Sequence, residues 1–140
     1  MPICRIIWMA GRSDETKNRL RNVLAQALSK AVHTKPEHIN IYFEDHLPVD
    51  MPKDGTLVRI YISAGRSEED KDHICEAVAR SIHDVAGVHI QCVDTVITDI
   101  PPGNLGVGTV IINREGIPTQ RMAEGKMADI SALYKEEQDE

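Results

Sequence analysis

The 140-residue chain is 41% hydrophobic and 27% charged, the balance of one soluble domain with enough apolar material for a core. Its formal net charge of -6 and pI near 5.5 argue against phosphate-backbone binding, since nucleic-acid binders carry a net basic face, so no nucleic-acid partner is expected. No apolar run approaches the roughly 18 to 20 residues that span a bilayer and no signal-peptide pattern opens the chain, so no membrane association and a cytoplasmic location are expected.

In chain order, Pro2 comes first. A small residue after Met1 permits removal of the methionine, which would leave a secondary amine at the start of the first strand. An α-amino group has a pKa of about 8 and a proline amine is more basic. An apolar pocket and a nearby guanidinium would each disfavour the cation and bring the amine toward use as a general base at neutral pH. Ile3, Ile7, Trp8, Arg12 and Arg66 supply those residue types. Alone, Met-Pro is a common beginning with no catalytic meaning.

Residues 3–9 are apolar and partly β-branched and predict a strand. Ser13 with Asp14 and Glu15 marks a helix start, because a hydroxyl caps free N–H groups and carboxylates favour the positive helix end. Leu20, Val23, Leu24, Ala27, Leu28 and Ala31 then recur at helical spacing, with Lys17, Arg21 and Lys30 on other faces. Residues 39–43 supply a closing strand, and residues 46–56, with Pro48, Pro52 and Gly55, read as a linker.

The pattern then repeats. Ala10-Gly11-Arg12-Ser13-Asp14-Glu15-Thr16-Lys17 is answered by Ala64-Gly65-Arg66-Ser67-Glu68-Glu69-Asp70-Lys71, a shift of 54 residues that also carries Arg5 onto Arg59, Ile6 onto Ile60, Asp45 onto Asp99 and Pro48 onto Pro102. Residues 57–63 predict a strand, Ile74, Ala77, Val78, Ile82 and Val85 a helix face, and residues 93–97 a closing strand. Pro101-Pro102-Gly103-Asn104 and the glycines after it predict a tight turn and a hairpin that returns through residues 110–112. From Pro118 the tail is polar and ends acidic, either a short docked helix or disordered.

The order predicts an α/β (α+β) fold: tandem β-α-β repeats forming a mixed four-stranded sheet, parallel within each half, with two helices on one face, plus a C-terminal hairpin and tail. The expected organisation is a single domain over residues 1–140, with repeats at 1–50 and 56–115 and a tail at 116–140. Cys4, Cys75 and Cys92 show no paired spacing and read as buried small apolar residues. The six histidines are scattered, so no metal site is expected. Arg12 and Arg66 each stand where a strand ends and a helix begins, a place where backbone N–H groups and a guanidinium together hold a carboxylate. The plain alternative is pairing with Asp14, Glu15, Glu68 and Glu69 in their own helices.

Met1-Pro2-Ile3, the apolar strand and Gly11-Arg12-Ser13-Asp14-Glu15 with Lys17 resemble the N-terminal half of the 4-oxalocrotonate tautomerases. Asp99-Ile100-Pro101-Pro102-Gly103-Asn104-Leu105-Gly106-Val107-Gly108 resembles that family's loop and hairpin. Two repeats in one chain make it similar to the fused members of the tautomerase superfamily, to the malonate semialdehyde decarboxylases and to the cis-3-chloroacrylic acid dehalogenases. The resemblance spans residues 2 to 112. It implies a homotrimer without cofactor or metal, a small carboxylate as partner, and Pro2, Arg66 and Arg12 as the catalytic set. Arg66 is the arginine it brings to the proline; Arg12 falls at the pseudo-equivalent position, where Thr56 replaces proline and no amine is present.

The chain departs from the family at several places. Asn40 and Asp94 stand where the second catalytic arginine is found, and Leu105 replaces an aromatic. With Tyr42 they complete the candidate substrate-binding residues. Tyr42 lies in a stretch, residues 38–43, similar to the dehalogenase's water-activating tyrosine strand, though in the opposite repeat; its plain alternative is a core aromatic. Ser63 and Ser29 stand in place of the dehalogenase's extra arginine and histidine, and Ala64-Gly65-Arg66 in place of the decarboxylase's Arg-Pro-Arg. The resemblance thus implies a cofactor-independent tautomerase (isomerase) of small 2-hydroxydienoate or enolpyruvate-type acids, preferring one carboxylate. The alternatives are a hydratase, decarboxylase or hydrolytic dehalogenase of a three-carbon acid, with Tyr42, Glu44 and Asp94 as water-activating candidates, or a non-catalytic trimeric relative.

Overall fold

The computed structural model describes residues 2–50 and 55–112. Met1, part of the linker and the whole tail expected at 116–140 lie outside the described residues. The chain divides into two compact units, Met1–Asp99 and Ile100–Glu140.

In the first unit, strand β1 (Ile3–Met9) leads into helix α1 (Asp14–Val32) and strand β2 (Asn40–His46); β3 (Thr56–Ser63), α2 (Glu68–Ala86) and β4 (Val93–Ile100) repeat the order. The strand order is β2-β1-β3-β4. β1 runs parallel to β2, with Ile3 opposite Asn40 and Met9 opposite His46. It runs antiparallel to β3, with Ile3 opposite Tyr61 and Ile7 opposite Leu57. The mixed sheet and the β-α-β repeats are therefore as expected, and the two halves join through antiparallel partners.

Local chemistry repeats at the same 54-residue shift. Ser13 caps α1 by accepting from the Thr16 N–H, and Ser67 caps α2 from Asp70. Both helices are 19 residues long and end on a left-handed residue, His33 (φ 55°) and Gly87 (φ 73°), whose N–H bonds back to Ser29 and His83. A Lys–Asp link ties each helix start to its closing strand, Lys17 to Asp45 and Lys71 to Asp99 at 3.1 Å. Each helix carries a leucine- or isoleucine-rich stripe onto one sheet face. Cys4, Ile6 and Trp8 of β1 and Val58, Ile60 and Ile62 of β3 meet Leu20, Leu24, Leu28, Ile74, Val78 and Ile82 in one core.

Some expectations shift. Val23 is 39% exposed, while Val32 and Ser81 are buried beside the predicted faces. Cys4 is buried, which raises its thiol pKa to about 12, but Cys75 is exposed and Cys92 half-buried. Position 75 follows the core residue Ile74 by about 100° of helix rotation, enough to turn it out of the stripe. β2 runs past residue 43 because its acidic end finds partners: Glu44 on Arg5, and Asp45 on Lys17 and Trp8. Among the described residues no helix is long and apolar enough to cross a membrane.

In the second unit β5 (Leu105–Val107) and β6 (Val110–Ile112) pair antiparallel, Leu105 opposite Ile112. Gly108 closes this hairpin at φ 58°, a left-handed turn conformation that favours glycine. It is the hairpin the glycine-rich stretch predicted.

Candidate active site

Pro2 is buried, in phase with Cys4, Ile6 and Trp8 on the helix-bearing face of β1. Its carbonyl accepts from the Asn40 N–H at 3.1 Å, which extends the parallel ladder by one step and fixes the ring at the sheet end. Because β3 runs antiparallel, the beginning of β1 lies beside the end of β3. The chain then turns through Gly65 (φ 100°) into Arg66. The Arg66 Nη1 donates to the carbonyl of Val32, the last residue of α1, at 2.6 Å, a position where helix carbonyls lack partners and the dipole is negative. Pro2, Arg66 and the end of α1 thus share one end of the sheet. His33 stands there too, its Nε2 3.6 Å from Asp70 in the first turn of α2.

Arg12 occupies the opposite end of β1. Its guanidinium lies over the Trp8 ring at 4.5 Å and Nη1 donates to the Met9 carbonyl at 2.8 Å. Burial draws the guanidinium pKa below its usual value, with Asp45 opposing. Trp8 in turn donates Nε1 to Asp45 Oδ1 at 2.8 Å. The hydrogen bond from Lys17, more than any other contact, holds the Asp45 carboxyl below the ordinary carboxylate range. A cavity of about 470 Å³ opens at this end, lined by Arg12, Met9, Thr56, Val88, His89 and Cys92 with two glycines. Trp8 and Arg12, expected among the residue types around Pro2, are therefore gathered at the Thr56 end. Neither Arg12 nor Arg66 pairs with its helix acids among the described residues; each guanidinium goes to a backbone carbonyl instead.

Asn40 begins β2 opposite Ile3, on the sheet face away from the helices, and contributes its N–H to Pro2. Tyr42 is on that same outer face and 55% exposed, so it is not a core aromatic. Asp94 is exposed on β4. Leu105 opens the hairpin of the second unit. The sequence reading missed an outer-face network: Arg5 forks onto both Glu44 oxygens at 2.7 and 2.8 Å and reaches Tyr61 Oη at 3.2 Å. The Arg5 contact holds the Glu44 carboxyl below its usual range. A charged residue at an odd, outward position of an apolar strand was the available signal. Among the described residues no cluster of three or more His, Cys, Asp or Glu side chains is placed to hold a metal.

Residues 57–114, nearly the whole second repeat, match the family described as tautomerase enzyme. No curated protein matches the chain by sequence. The fold is that of a fused 4-OT wild-type asymmetric trimer, at 22% identity over 78% of this chain and 94% of that one, with a TM-score of 0.73. It is also that of a malonate semialdehyde decarboxylase (16% identity, 76% and 90% covered, TM-score 0.66) and of the macrophage migration inhibitory factor of Toxoplasma gondii (15%, 79% and 99%, 0.70).

Proposed function

We propose, on the tautomerase family match over residues 57–114 and the fold shared with fused 4-OT and a malonate semialdehyde decarboxylase, that the chain is a fused two-repeat member of the tautomerase superfamily and a cofactor-independent tautomerase of small enolpyruvate-type monocarboxylates that works through Pro2. The fold is one that carries tautomerase-type or related catalysis. With Met1 removed, the Pro2 amine takes the enol O–H proton. As that oxygen becomes a carbonyl, the carbon–carbon double-bond pair takes a proton from the Pro2 ammonium, so one proton leaves oxygen, one arrives at carbon, and the neutral amine is regenerated. Arg66 holds the carboxylate and the developing enolate oxygen through the N–H groups it does not spend on Val32.

The observation that carries this reading is the burial of Pro2 at the same sheet end as Arg66. Asn40 and Asp94, at the places where a second arginine would bind a second carboxylate, support the monocarboxylate preference. Arg12, at the far end of β1, is left outside the Pro2 chemistry. We also propose a homotrimer, supported by the trimeric fused relative and by an outer sheet face that carries half-buried Ile3, Ile7 and Leu57 beside exposed Tyr42 and Val96.

The test is ketonisation of phenylenolpyruvate and of 2-hydroxymuconate by protein whose Met1 removal is confirmed by intact mass. Activity higher on the monocarboxylate, and reduced by about 100-fold or more in Pro2→Ala and Arg66→Ala, is expected. Wild-type rates no higher than Pro2→Ala on both substrates would overturn the proposal in favour of hydration, decarboxylation or dehalogenation, or of a fold without chemistry.

A further inference from the structure

The cavity at the Thr56 end has the architecture of a binding site without an amine. By the 54-residue repeat, Thr56 takes the place of Pro2, Arg12 that of Arg66, Met9 that of Ser63, Val88 that of Thr34 and Cys92 that of His38. The lining also holds Gly55, Gly87 and His89, the last in the place of Lys35, so a polar position is kept there beside the arginine. The change of character lies at the other positions. At the Pro2 end the residues at these positions are polar; at the Thr56 end Met9, Val88 and Cys92 are apolar. Thr56 is 3% exposed and is one of the residues that line the cavity.

Arg12 is the one permanent charge on that lining. Among the described residues no carboxylate oxygen lies within ion-pair distance of it. One N–H is used by the Met9 carbonyl, and the plane is held against Trp8. Packing thus holds the guanidinium and partly strips it of water, and among the described residues one N–H alone has a hydrogen-bond partner. A planar fork in that condition favours a carboxylate, which accepts two parallel N–H bonds. The 470 Å³ volume falls within the range of small-molecule sites.

We propose that this cavity is a second, non-catalytic binding site for a small monocarboxylate with an apolar body, the carboxylate on Arg12 and the body against Met9, Val88 and Cys92. The site does not depend on the reaction proposed for Pro2, and its occupancy leaves a separate trace. Trp8 is the single tryptophan of the chain and lies directly beneath Arg12.

Trp8 fluorescence of the full chain, titrated with 3-methylbutyrate, is expected to change saturably, and 3-methylbutanol, the neutral analogue, to leave it flat. Arg12→Ala and the cavity-filling Val88→Phe should each weaken the 3-methylbutyrate response on the order of tenfold or more. Val88→Phe replaces neither Arg12 nor Trp8, and its fluorescence without ligand, compared with wild type, controls for an altered baseline. Arg66→Ala should keep the response whether or not the protein is a tautomerase. A non-saturating titration, an equal response to the alcohol, or a response that survives Val88→Phe and is lost in Arg66→Ala would overturn the proposal. A neighbouring copy that closes the cavity gives a flat titration with 3-methylbutyrate and overturns it equally.

Discussion

Arg12 and Arg66 hold the same place in their repeats, yet one lies on an indole and the other caps the end of a helix. That difference depends on what the preceding strand and the other repeat bring nearby, and no local spacing encodes it. Arg5 is a similar case: its partner Glu44 is 39 residues away and meets it only through the parallel register of β1 and β2. Since the Arg5 contact lowers the Glu44 pKa in the fold, the pair contributes stability above the unfolded carboxylate value of about 4 and loses it as pH falls through the lower folded value. Thermal denaturation should therefore place wild type above Glu44→Gln at pH 7, with the gap closing in strong acid. A gap that does not depend on pH would assign Glu44 a packing role instead.

At the scale of elements, the two helices provide an internal comparison. Their hydroxyl caps are equivalent, so Ser13→Ala and Ser67→Ala should each cost about 1 kcal/mol in urea denaturation. Their C-termini are not equivalent. His33 adopts at φ 55° the left-handed conformation that Gly87 adopts at 73°, and a side chain there costs roughly 1 kcal/mol. His33→Gly is accordingly expected to stabilise the protein and Gly87→Ala to destabilise it, both read from the same denaturation midpoints. The absence of opposite signs would mean that His33 recovers the strain through its contact with Asp70. These elements were readable in the sequence because caps, glycines and stripes act within a few residues of one another. The strand order β2-β1-β3-β4, and with it the grouping of Pro2 with Arg66 and of Thr56 with Arg12, follows from pairings between distant segments, and the repeat shift alone could not order the sheet. Tyr42 shows the same limit: alternation places it on one of two strand faces, and only the register to β1 shows that this is the outer one.

For the whole molecule, the proposed homotrimer assigns the subunit contact to the outer sheet face. If three copies associate through it, light scattering should give three times the 15.6 kDa chain mass, and Ile7→Asp, a charge placed on that face, should give the monomer while circular dichroism stays unchanged. A wild-type monomer would remove the homotrimer from the proposal. The repeat itself has a further consequence, one of polymer ends. Duplication copies every side chain of a fold, but a polypeptide has one amino terminus however often its architecture recurs. A chemistry that resides in a terminal nitrogen therefore cannot be duplicated within one chain, and at Thr56 the nitrogen is an amide. That position is thereby released from any need to titrate and open to other use. A chain opened ahead of residue 56, with Thr56→Pro at the new terminus, would show whether the second end of the sheet still accepts the work of the first.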